Sequence, residues 1–189
     1  MSTRQSPMSA RIIGLQPSNF SAFAEYLNDH ISDNGAEGQP LFQPIARIDC
    51  HFADERAAGF RRALDVVPPN PGWRRAWVAM AGKDRIVGHA DLRAHAAPYM
   101  GHRCLLGMGV HRDWRRSGLG QRLLDVAIEW AKADPQMEWI DLQVIASNGA
   151  AVSLYERAGF TETGLVRDCF RMDGRQVDYL SMALPVRRA

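Results

Sequence analysis

The chain has 189 residues, 46% of them hydrophobic and 23% charged, and a formal net charge of +2. That composition fits one globular domain, and neither a signal peptide nor an apolar run long enough to cross a bilayer is visible, so a cytoplasmic protein without membrane contact is expected. The basic residues are scattered rather than striped with aromatics, which argues against nucleic acid as a partner.

The first ten residues, MSTRQSPMSA, are expected to form a flexible tail, with a single domain over 11–189. SNFSAFAEYLNDHI (18–31) predicts a helix capped by Ser18, because Phe20, Phe23, Ala24, Leu27 and Ile31 recur at helical spacing. DNGAEGQPLFQP (33–44) predicts an irregular loop. ADERAAGFRRALD (53–65) predicts a second helix, closed by PPNPG. WRRAWVAMA (73–81) and RIVGHADLRAH (85–95) predict strands joined at Gly82-Lys83-Asp84, and CLLGMGV (104–110) a central strand. RRSGLG (115–120) then leads into a helix that runs to about Ala133 and breaks at Asp134-Pro135. A strand EWIDLQVIA (138–146), a short helix over about 149–158 ending at Gly159, and a hairpin around Asp173-Gly174 complete the chain. The order predicts an α/β (α+β) fold, a mixed sheet flanked by helices, without repeats or a domain linker.

RRSGLG carries the first chemical signal. Leu119, Leu123, Ala127, Trp130 and Ala131 line one helix face, so Ser117 or Gly118 falls at the helix N-terminus. Backbone N–H groups there lack intrahelical partners and the dipole is positive, which suits a phosphate. Gly118 and Gly120 leave the backbone approachable, and Arg115 and Arg116 add charge at the rim. The segment is neither a Rossmann GxGxxG nor a P-loop. Further on stands ASNGAAVSLYERAGF (146–160): Asn148 is placed to cap a helix, with Tyr155 two turns below it on the same face. Cys50, Cys104 and Cys169 suggest no disulfide framework, and six histidines without HxxxH or HExxH spacing suggest no metal site.

Together the two segments resemble the GCN5-related N-acetyltransferase (GNAT) family. The signature V-x-x-x-x-[QR]-x-x-G-x-[GA] is matched by Val110, Arg115, Gly118 and Gly120. The signature N-x-x-A-x-x-L-Y-x-x-x-G-F is matched by Asn148, Ala151, Leu154, Tyr155, Gly159 and Phe160. The resemblance covers roughly residues 85–185, and the closing DGRQVDYLSMAL is similar to the last hairpin of many members. It implies a mostly antiparallel mixed sheet whose strands over 104–110 and 139–146 splay apart to admit the pantetheine arm of acetyl-CoA. The cofactor would contact Met108, Val110, Arg115, Arg116, Ser117, Gly118, Leu119, Gly120, Asn148 and Tyr155. The backbone N–H of Met108 or a neighbour would face the thioester oxygen, and Tyr155 would protonate the departing thiolate. No metal is implied.

The resemblance leaves the general base open. IDLQVIASN is similar to the LEVRASN stretch of the ribosomal-protein alanine acetyltransferases, whose glutamate acts as base, but Gln143 occupies that position here. Candidate replacements are Asp141, two residues earlier on the same strand face, His89, which shares a face with Asp91, and His102. The acceptor should be set by the first two helices, the 33–48 loop and the hairpin, where Asp33, Glu37, Asp173 and Asp178 offer carboxylates. A primary amine of amino-acid or peptide type is the expected acceptor. The alternatives are a protein N-terminus or lysine, or a non-catalytic acyl-CoA-binding module. Many members of the family are dimers, so a homodimer is compatible with the resemblance, although no interface motif is visible.

Overall fold

The computed structural model describes residues 9–187, so most of the expected tail lies outside the described residues. Ala10 is buried, and its carbonyl accepts a hydrogen bond from Arg122 Nη2 at 2.7 Å. The strands are β1 (Arg11–Gly14), β2 (Arg74–Ala81), β3 (Arg85–Ala94), β4 (Arg103–Val110), β5 (Trp139–Ile145), β6 (Thr161–Met172) and β7 (Arg175–Pro185). They form one sheet in the order β1-β2-β3-β4-β5-β7-β6, antiparallel throughout except where β4 meets β5. Helices α1 (Phe20–Ser32) and α2 (Asp54–Asp65) cover one face, and α3 (Leu119–Ala133) and α4 (Gly149–Arg157) the other.

Each face carries its own apolar core, for reasons of periodicity. Helix α3 buries Leu119, Leu123, Leu124, Ala127, Ile128 and Ala131, one stripe at helical spacing, against Leu106, Ile140, Leu142 and Val144 of the central strands. Helix α1 buries Phe20, Phe23, Tyr26, Leu27 and Ile31 with Phe60 of α2, over Ala76 and Val78 of β2. Ser18 is not the cap of α1. It falls in a short 3₁₀ turn over Pro17–Asn19, and Asn19 occupies the cap position, its side-chain oxygen accepting from the Gln16 N–H at 2.9 Å. Strand β1 was not predicted, since RIIG is too short for alternation to register.

The centre of the sheet decides the function. Strands β4 and β5 pair over three residues only, Arg103–Leu105 against Trp139–Asp141, and beyond them no pairing joins the two. Crossovers between parallel strands usually carry a helix, and α3 fills that role here. It also packs across β2, β3, β4 and β5, holding the two halves of the sheet while they diverge.

Candidate active site

The gap between β4 and β5 is lined by peptide groups. The His111 N–H donates to the Val87 carbonyl at 3.0 Å, and the β3–β4 register runs without a shift from there. Antiparallel alternation therefore turns the peptide edges of Met108 and Val110 away from β3, into the gap. On the other side the Ala146 N–H donates to Asp178, so the edges of Gln143 and Ile145 face the gap from β5. An extended ligand placed there can add as a strand.

The N-terminus of α3 stands at the open end of the gap. Its first intrahelical bond is Arg122 N–H to Gly118 carbonyl at 3.3 Å, which leaves the N–H groups of Leu119, Gly120 and Gln121 without intrahelical acceptors. Gly118 caps the helix at φ +80°, a left-handed conformation, and faces open space. Gly120 has a different job. A Cβ there would lie 3.3 Å from Leu154 Cδ2, so the residue must be small for α3 to approach α4. Arg116 is exposed with φ +59°, and the Ser117 hydroxyl donates to the Trp114 carbonyl at 2.6 Å. Arg115 does not sit at the rim. Its guanidinium turns inward to Gln39 Oε1 (2.6 Å), Asp33 Oδ2 (3.4 Å) and the Val110 carbonyl (3.3 Å). The side chain of Leu119 is likewise buried in the core.

Asn148 caps α4 as the sequence predicts, its side chain accepting from the Ala151 N–H at 3.4 Å. Tyr155 is buried on the α3–α4 face, its ring 5.8 Å from that of Phe160. Burial, reinforced by the neighbouring Tyr179, pushes its phenol up, so it stays protonated at neutral pH.

The opposite face of the gap belongs to polar side chains. Gly107 and Gly109 lie two apart on β4 and face the same way. A Cβ on Gly107 would meet Asp91 Oδ1 at 2.6 Å and Arg93 Nη1 at 3.0 Å, and one on Gly109 would collide with His30 Nε2. The strand is regular here, and side chains from β3 and α1, not a bulge, explain the glycines. Tyr26 Oη bridges His89 Nδ1 and the Gly109 carbonyl, at 3.1 Å each, and His30 Nδ1 is buried without a partner among the described residues. Burial pushes both His30 and His89 down to about 3.

The structure does not gather the three candidate bases. His89 is buried and a poor proton acceptor at that pKa. Asp141 is held by the Arg103 guanidinium and by His95 Nε2 at 2.9 Å. His102 is exposed at the start of β4, where the strands are still paired, and its carbonyl accepts from the Trp139 N–H. Sequence reasoning passed over Arg93, Tyr26 and His30. The signal for Arg93 was present: in HADLRAH, polar residues at 89, 91, 93 and 95 alternate with apolar ones, marking a polar stripe on one strand face.

The 33–48 loop and the β6–β7 hairpin meet. The Arg47 N–H donates to the Asp173 carboxylate at 3.1 Å. Arg47 also donates from its guanidinium to the Ser32 and Asn34 carbonyls at 2.8 Å each, which ties this loop back to the end of α1. The loop starts at Asp33, which Arg115 ties to the Val110 carbonyl at the end of β4, and the hairpin extends β7, so their contact spans the two sides of the gap at its splayed end.

Comparison with known proteins agrees with this architecture. The model of the acetyltransferase (GNAT) family matches residues 44–160. The ribosomal protein bS18-alanine N-acetyltransferase of Escherichia coli K12 is 42% identical over 84 residues, 43% of this chain and 55% of that one. The chain thus spans about half the length of the first curated relatives it matches. Among solved structures, a GNAT-family acetyltransferase from Streptococcus pneumoniae superposes with a TM-score of 0.78 at 21% identity, over 94% of this chain and 99% of that one. A Salmonella typhimurium protein solved with acetyl-CoA as its cofactor gives 0.74 at 18% identity, over 96% of each chain. At those identities the structural likeness speaks for the fold alone. The chain belongs to the GNAT family of acetyltransferases. Among the described residues, no helix is long and apolar enough to cross a membrane.

Proposed function

We propose that the protein transfers an acetyl group from acetyl-CoA to the primary amine of a small acceptor, an amino acid or a short peptide. The observation that carries the reading is the parting of β4 and β5 after three pairs, beside an α3 N-terminus with free N–H groups. The pyrophosphate would lie on that terminus and on the Gly118 backbone. The pantetheine arm would pair with the peptide edge of Met108 and with the Val110 N–H, the Val110 carbonyl being held by Arg115, and the Met108 N–H would take the thioester oxygen as it becomes an oxyanion. The amine nitrogen attacks the carbonyl carbon, the carbon–sulfur bond breaks, and Tyr155 gives its proton to the leaving thiolate. With Gln143 unable to act and no candidate base free beside the gap, the amine reacts as its neutral fraction and passes its proton to water, from which Tyr155 takes up the proton it gave to the thiolate. Turnover then rises with pH up to the pKa of the amine itself.

The contact between Arg47 and Asp173 supports a small acceptor, because a strap across the gap admits a compact molecule more readily than a folded protein. A peptide α-amine is the second reading, favoured by the bS18-alanine relative. The cofactor half is tested by calorimetric titration with acetyl-CoA of wild type, Gly118→Asn and Gly118→Asp. Both side chains tolerate the left-handed conformation, and they differ in charge. Asp should weaken binding by tenfold or more relative to Asn, and equal affinities would remove the phosphate from this loop.

A further inference from the structure

On the acceptor face of the gap, cations outnumber anions. Asp91 lies at the floor, 6% exposed, with Arg93 Nη1 and Arg74 Nε on the same carboxylate oxygen at 3.4 and 3.3 Å. One carboxylate thus stands between two guanidiniums. Arg74 stacks on the Phe60 ring at 4.0 Å, and its Nε, off the line of a hydrogen bond to Asp91, has no hydrogen-bond partner among the described residues. Arg93 is 35% exposed and lies over Gly107, one residue from the Met108 peptide. The absent side chain at Gly107 is what lets the guanidinium reach across β4 toward the gap. The neighbouring groups do not neutralise it: Asp141 is already taken by Arg103 and His95, Asp33 by Arg112 and Arg115, and Gln143, facing from β5, is uncharged.

From this arrangement we infer that the acceptor carries a carboxylate close to its amine, seated on Arg93 with Arg74 behind, as in a free α-amino acid. The inference rests on the acetyltransferase reading and narrows it. A guanidinium offers a planar fork that matches a carboxylate with two parallel hydrogen bonds, and Arg93 spends a single N–H of its five on Asp91. Gln143 fits the same picture: a glutamate there would repel an incoming carboxylate, whereas the neutral amide does not. The shelf beside Met108 places the charge near the thioester, which suits an amine and a carboxylate on one short molecule.

The test is acetyl-CoA turnover, read as free thiol, across the common amino acids, each beside its carboxamide, together with simple amines and short peptides. The acids should exceed their amides by about 10- to 100-fold in kcat/KM, the weight of a charge-assisted hydrogen-bonded pair. Arg93→Gln should collapse that ratio toward one, chiefly through KM, while Arg93→Lys restores part of it. Acetyl-CoA affinity serves as the check that the variants fold. Acids and amides turned over equally, or a ratio that survives Arg93→Gln, would overturn the inference. If acetyl-CoA binds and only amines or peptides without a nearby carboxylate are acetylated, the carboxylate falls and the acetyltransferase reading stands. If acetyl-CoA does not bind, both fall.

Discussion

The two faces of the β4–β5 gap are built from different materials. Toward α3 and α4 the surface is made of backbone: the peptide edges of Met108 and Val110, the free N–H groups of α3, a left-handed glycine cap. Toward α1 it is made of side chains: Tyr26, His30, His89, Asp91 and Arg93, packed so closely that β4 must carry glycine at 107 and 109. A backbone surface suits a cofactor that is always the same molecule, since peptide groups stay fixed whatever residues surround them. A side-chain surface can change with each substitution, and it suits the partner that varies.

The largest effect should come from Tyr155, which sharpens the contrast because it is the one side chain the backbone face needs. Tyr155→Phe keeps the ring and its packing on Phe160 and removes the proton donor. Steady-state kinetics should show kcat reduced by ~10²–10⁴-fold with acetyl-CoA affinity nearly unchanged. A variant with full kcat would remove Tyr155 from the chemistry.

Stability against pH probes the side-chain face alone. His30 and His89 are neutral when folded, each pushed by burial from an ordinary 6.5 to about 3. Below pH 6.5 the unfolded chain binds a proton at each imidazole and the folded chain does not. Their contribution is therefore intact above 6.5 and lost as the pH falls toward 3, at up to about 1.4 kcal/mol per pH unit for each histidine. Urea unfolding at pH 7, 6 and 5 measures the slope. His30→Leu should remove one of the two titrations and flatten it, and a slope indifferent to that change would break the assignment.

The smallest effect tests whether the faces are separate at all. Arg115 belongs by its spacing to the phosphate loop, yet its guanidinium holds Asp33 and Gln39 on the other side. Arg115→Met should raise the KM of the acceptor a few-fold and leave acetyl-CoA affinity within about twofold. The reverse pattern would return Arg115 to the cofactor.

What the sequence disclosed follows the same division. Glycine spacing, the cap at Asn148 and the apolar stripe of α3 are local properties of backbone, so the cofactor side of the fold was legible. The direction of a long side chain is not local. Arg115 was expected at the rim and is turned inward by Asp33 and Gln39, which lie 82 and 76 positions away in the chain. Asp141 looked available until the fold brought Arg103 and His95 to it, and His89 until Tyr26 and Phe23 enclosed it. Strand β1 escaped because four residues cannot declare a period, and it is pairing with β2 that makes them a strand.

The three-residue junction of β4 and β5 has a mechanical consequence. Two ribbons, β1 to β4 and β5 to β6, meet there like the blades of a pair of tweezers, with α3 as the spring across the back. A molecule laid between the blades would restore the missing ladder. Amide deuterium uptake at 106–110 and 142–145 should then slow sharply on adding acetyl-CoA, while the closed end at 103–105 hardly changes.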